Sequence, residues 1–167
     1  VARHVRIPLK STIRHASHTR SSTDSLVVSC RLDNGTVGWG EGLPREYVTG
    51  ETIDTAFEHL LHSDLAVQLA DRFTNVPELI DVCTRLKLTH PIVGTGRECF
   101  GNAARAAVEL SILDAAMRSF GEPLSAITAH VPETLAIRES KPRVQYSGAI
   151  TPSERWKEWL KAKAMSW

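Results

Sequence analysis

Apolar spacing changes character along the chain. Leu26, Val28, Cys30 and Leu32 alternate with Val27, Ser29 and Arg31, the period of a half-buried strand. Residues 3–10 read as an earlier strand ended near Pro8, and residues 36–41 as a return strand. Asp33-Asn34-Gly35 lies between the second and third. Asn-Gly predicts a hairpin with a type I′ turn, in which both residues take positive φ. Residues 11–24, STIRHASHTRSSTD, are polar without period and are expected to form a loop.

The period then becomes helical. Ile53, Ala56, Phe57, Leu60 and Leu61 form an i, i+3, i+4, i+7, i+8 stripe. Residues 64–72 suggest a short helix. Pro77 suits a helix start, with Leu79, Val82, Cys83 and Leu86 as its inner face. Residues 90–100 are punctuated by Gly and Pro, as a loop is. Asn102 is the expected N-cap of a long, alanine-rich central helix closed by Gly121. Arg105 and Glu109, and Asp114 and Arg118, are spaced for i, i+4 ion pairs. Residues 122–129 suggest one more short helix. In the tail, residues 143–150 read as a strand. Thr151-Pro152-Ser153-Glu154 is a capping box opening a helix striped with Trp156, Trp159 and Leu160. The expected fold class is α+β: a three-stranded antiparallel meander, then a helical bundle over residues 1–140, then one strand and one helix over residues 141–167.

Composition narrows the function classes. Twenty Lys and Arg face 19 Asp and Glu among 167 residues, which gives no global pull toward nucleic acid or membrane. The basic run Arg3, Arg6, Lys10, Arg14 and Arg20 lacks the aromatic interleaving of a nucleic-acid surface. Three cysteines without a CxxC pair fit small buried hydrophobes in a reducing compartment, so a cytoplasmic location is expected. His15 and His18, and His59 and His62, each stand three apart without further ligands in view. The latter pair is expected on the exposed flank of its helix. Glu109 and Asp114 are read as partners in structural ion pairs, and Glu41 as a residue bonding the turn that follows it.

The stretch VGWGEGLPREYVTGET, residues 37–52, concentrates polar and special-backbone chemistry between a hairpin and a helix. Arg45 and Glu46 suit either a surface ion pair or a pocket rim. Tyr47 and Val48 at the tip suit contact with a ligand.

The IPLK strand, NGTVGWGEG, PREYVTGET, AARAAVELSILDAAMRSFGEPL and VQYSGAI occur in an order and spacing that resembles the start of an enolase-superfamily enzyme, closest to the muconate-lactonizing and dipeptide epimerase subgroup. The resemblance implies an N-terminal capping domain that closes over a (β/α) barrel. In the complete enzyme the barrel carries lysine acid/base groups and the ligands of one Mg²⁺, and the substrate is a small carboxylate. Two cap loops, residues 14–24 and 43–51 here, would shape the pocket. His18 falls nearest an arginine that holds the substrate carboxylate in dipeptide epimerases, and Arg20 is the better carboxylate ligand because its guanidinium is bidentate. His18, Arg20, Arg45, Tyr47 and Val48 are therefore the expected substrate contacts. No catalytic residue, metal ligand or cofactor is expected within this chain. Lys161-Ala162-Lys163 spells the family's Lys-x-Lys but falls in a helix, where residues two apart diverge. The alternative is a standalone binding module, assembling as a homo-oligomer through residues 143–167.

Overall fold

A computed structural model describes residues 1–14, 18–89, 99–140, 142–143 and 163. The chain divides into two compact units, Val1–Leu135 and Ala136–Trp167. The first unit opens with strands β1 (Ala2–Arg14), β2 (Thr19–Arg31) and β3 (Val37–Gly42), antiparallel in the order β1-β2-β3. Helices α1 (Ile53–His62), α2 (Leu65–Gln68), α3 (Val76–Arg85) and α4 (Asn102–Phe120) follow. A 3₁₀ stretch, Leu124–His130, takes the place of the short helix expected after Gly121. The expected α+β order is present. The strand and tryptophan-striped helix expected in residues 143–167 lie almost wholly outside the described residues.

The seam between β3 and α4 organises the unit. Gly38, Gly40 and Gly42 occupy alternate positions of β3 and so share one face. A Cβ on Gly38 would fall on the backbone of Ala115 and Ser111. One on Gly40 would strike Ala107 and Ser111, and one on Gly42 would strike Ala103. The helix answers with Ala103, Ala107, Ser111 and Ala115, all buried and spaced by four on one face. Helix and strand therefore meet at backbone contact. The bulk missing from β3 stands on β2, where Leu26, Val28 and Cys30 pair with Gly42, Gly40 and Gly38. The other side of α4 buries Val108, Ile112, Ala116 and Met117 in a cluster with Leu79, Cys83 and Leu86, the inner face expected of α3. Burial, then the nearby Glu109 carboxylate, pushes the Cys83 thiol up to about 11.

Ion pairs form as spaced. Arg105 Nε meets Glu109 Oε1 at 2.6 Å, and Arg118 Nε meets Asp114 Oδ1 at 2.9 Å. Asp114 also accepts the outward Trp39 N–H of edge strand β3 at 2.9 Å. The Arg118 guanidinium, followed by that N–H, holds the Asp114 carboxyl below the usual aspartate range.

Four expectations are corrected. Most of residues 11–24 is strand, because β1 runs to Arg14 and β2 begins at Thr19. These outer halves of the hairpin are largely exposed, so no alternation marks them. The Asn-Gly turn has positive φ at Gly35 alone, with Gly35 N–H donating to the Leu32 carbonyl at 2.9 Å. It is a three-residue loop with glycine in the left-handed position, and Asn34 instead accepts the Thr36 N–H at 3.0 Å. Asn102 is not the cap of α4: Gly101, at φ +90°, holds that place without a side-chain bond. The buried face of α1 is rotated, with Ala56 and His59 inside and Leu61 74% exposed.

Alanine at Gly40 should cost about 3 kcal/mol, the upper range for overpacking. Alanine at Gly35, where nothing lies within 4 Å, carries only the positive-φ strain of about 1 kcal/mol. Urea unfolding of both variants checks this. Equal losses would mean that the helix does not touch the strand at position 40.

Candidate functional site

The site grows from the polypeptide that leaves β3. Pro44 is buried, and residues 45–50 then fold into a single tight turn. The Val48 and Thr49 N–H groups donate to the Arg45 carbonyl at 2.9 and 2.8 Å, and the Gly50 N–H to the Glu46 carbonyl at 3.1 Å. Thr49 Oγ1 also donates to the Arg45 carbonyl at 3.3 Å.

Glu51 anchors this turn, and its side chain is fully buried. Its carboxylate accepts the Ala103 N–H with both oxygens at 3.1 Å and the Ala104 N–H at 3.4 Å. These are orphan donors of the first turn of α4, which the Gly101 cap leaves unsatisfied. A carboxylate at a helix N-terminus also meets the positive end of the helix dipole. That offsets burial of its charge. The next residue, Thr52, caps α1 in a reciprocal box with Thr55. Two adjacent residues thus fix two helix starts and the turn between them and β3.

Three of the expected site residues meet here. The His18 ring stacks on Tyr47, centroids 4.5 Å apart and planes 18° from parallel. Arg45 Nη1 donates to the Tyr47 hydroxyl at 3.1 Å. His18 precedes β2 and Tyr47 follows β3, so the stack joins the β1–β2 hairpin end to the turn. Val48 is at the crest of that turn, 52% exposed. Arg20 is half-buried on β2, two residues beyond His18. Its Nε is shut off from solvent without a hydrogen-bond partner. No hydrogen bond or ring contact joins it to the trio. Arg45 pairs with Tyr47 rather than with Glu46, which is exposed.

The remaining candidates sort plainly. His59 is fully buried, edge-on to Phe100 with centroids 5.1 Å apart, which corrects the exposed flank expected for it. His62 stays exposed, 3.4 Å from Glu58. Glu41 is exposed on β3 and makes no turn hydrogen bond among the described residues; Glu51 has that work. His15, Lys161 and Ala162 lie outside the described residues, and Lys163 is helical and exposed. Arg6 of the basic run and the nearby His4 are engaged across the hairpin by Ser22 and Asp24, at 3.2 and 2.6 Å. Among the described residues no three His, Cys, Asp or Glu side chains converge. No described helix is long and apolar enough to cross a membrane.

Glu51 and Phe100 were missed from the sequence. The only sequence sign at Glu51 is an acid directly before a Thr cap, and nothing local reveals that it serves a helix 52 residues on.

Comparison with known proteins follows the same outline. The family described as mandelate racemase / muconate lactonizing enzyme, N-terminal domain, matches residues 1–128. A hydrophobic dipeptide epimerase of Enterococcus faecalis is 31% identical over 114 residues, 66% of this chain and 29% of that protein. An L-Lys-D/L-Arg epimerase of Methylococcus capsulatus is 28% identical over 128 residues, 77% of this chain and 33% of that one. Among solved structures, the M. capsulatus dipeptide epimerase complexed with Mg and the dipeptide L-Arg-D-Lys superposes with a TM-score of 0.60 at 29% identity, covering 77% of this chain and 33% of that one. The chain spans about a third of the length of these relatives. It belongs to the mandelate racemase / muconate lactonizing enzyme family, of which it carries the N-terminal domain.

The stack has a spectroscopic signature. The His18 ring protons should resonate upfield under the Tyr47 ring current, and Tyr47→Leu should return them to ordinary shifts in a proton–carbon correlation spectrum. Unchanged shifts would mean that the hairpin end and the turn are not joined in solution.

Proposed function

We propose that this chain is the capping and specificity part of an epimerase- or racemase-type enzyme of its family, acting on a small substrate that bears a carboxylate. The observation that carries the reading is the contact chain His18–Tyr47–Arg45, which brings two distant loops together at one end of the sheet. Arg20 adds a guanidinium nitrogen that lacks an acceptor. A carboxylate would supply one, in a charge-assisted bond stronger than a neutral one. Tyr47 and Val48 would pack against the substrate's apolar part. The relatives' names point to dipeptides and N-succinyl amino acids as the first substrates to try.

In this reading the chain binds, orients and excludes water, while proton transfer next to the carboxylate belongs to groups outside it. Magnesium, present with the M. capsulatus epimerase, would likewise be held by residues other than those described here.

The test is α-proton exchange in heavy water with Mg²⁺ present. It is run with this chain alone and with this chain fused ahead of the remaining sequence of a dipeptide epimerase. The chain alone should exchange nothing above background, and the fusion should be active. Arg20→Ala in the fusion should raise KM about tenfold, the scale of one charge-assisted bond. Exchange by the chain alone would overturn the division of labour. An active fusion whose KM is unmoved by Arg20→Ala or Tyr47→Leu would overturn the specificity role.

A further inference from the structure

A concavity lies at the end of the sheet away from His18. β2 has 13 residues and at strand rise is roughly 40 Å long. His18 stands at its start and Cys30 near its finish. Beside Cys30 the first unit contains a cleft of about 920 Å³, toward the top of the roughly 300–1,000 Å³ typical of small-molecule sites. Val28, Cys30, Ile112, Leu65, Leu69, Phe73 and Phe120 are among the apolar residues that line it. The two phenyl rings meet edge to face with centroids 6.2 Å apart. That contact holds the segment after α2 against the end of α4.

The mouth is polar. Arg31, Asp33, Asp71 and Arg72 border it. Asp71 is taken by Arg85 at 3.1 Å. Arg31 and Arg72 are exposed and join no ion pair among the described residues, so the bordering side chains outside that pair are two arginines and one acid, Asp33. Asn34 is held at the same rim by its bond to Ser119 Oγ at 2.7 Å. Close-packed interiors leave few voids larger than a water. An apolar hollow of this size with a cationic rim therefore has the chemistry of a ligand site.

We propose that this cleft binds an amphipathic carboxylate, its single apolar chain between Phe73, Phe120 and the leucines and its anionic head at Arg31 and Arg72. The site is separate from the substrate-facing loops and does not depend on the function proposed for them. A guanidinium fork suits a carboxylate, and the apolar body gains by leaving water. A neutral or cationic head on the same chain gains only the second part.

Calorimetric titration of the whole 167-residue chain with decanoate, decanol and decyltrimethylammonium tests this. Decanoate should bind saturably, at one molecule per chain. The double variant Arg31→Ala, Arg72→Ala should weaken it about tenfold and leave decanol unchanged. Ala70→Trp, at an exposed position on the cleft wall, should abolish binding of all three while circular dichroism shows the fold intact. Absence of saturable decanoate binding overturns the proposal. So does equal affinity for the three head groups, or indifference to the arginines. Light scattering showing a dimer that Ala70→Trp dissolves would assign the cleft to a second copy and overturn it as well.

Discussion

Glycine at 38, 40 and 42 and small residues at 103, 107, 111 and 115 meet in one seam, and almost every other feature of the first unit is placed by it. No side chain separates α4 from β3 along that line. A helix can approach a strand this closely only if both surfaces are bare at matching intervals. Two residues of strand rise about 6.6 Å and four residues of helix about 6 Å, so glycines spaced by two stay in step with small residues spaced by four. The strand therefore reads its register from the helix. Leu26 and Val28 then fall beside the glycines and fill the flank of the seam.

The seam also decides where the site can be. β3 ends at Gly42 over Ala103, at the start of α4, so the polypeptide emerging from β3 is delivered to the helix N-terminus. Glu51 exploits that placement: the first backbone amides of α4 need acceptors, and its carboxylate arrives from the returning turn. The turn at residues 45–50 is thereby fixed at its far end by a buried charge and at its near end by the sheet. Tyr47 rises from it to meet His18. A turn built this way is on a surface but rests on a buried junction of strand and helix, as placement of a binding group would require.

Much of this was legible in the sequence, and the exceptions have physical causes. Alternation in residues 26–32 and the helical stripe of α3 were readable because each element has one wet and one dry face, whereas α4, buried on two sides, was readable from its alanine content and the glycine that closes it. The outer hairpin was not, because both its faces are largely exposed and no period survives. His59 was placed outside on the polarity of its side chain. It is inside because the Phe100 ring gives it an aromatic neighbour, and Leu61 is displaced to solvent in exchange. Asn102 has the chemistry of a cap, yet Gly101 takes the position and a carboxylate distant in sequence takes the bonds. That last case is the general one: local residues announce that a helix start needs acceptors, and only the tertiary fold says which group supplies them. Of the site, His18, Arg45 and Tyr47 were named from the sequence and are brought together; Glu51, which positions them, was not.

The backbone contact at the seam is open to direct measurement. In a nuclear Overhauser spectrum of the folded chain, the Gly40 α-protons should show strong cross-peaks to backbone protons of Ala107 and Ser111, and those of Gly42 to Ala103. Their presence in that register is what the account requires. Strong strand cross-peaks to Val28 and Leu26 with no helix cross-peaks from the glycines would show an intact sheet with α4 standing off from it, and would contradict the account.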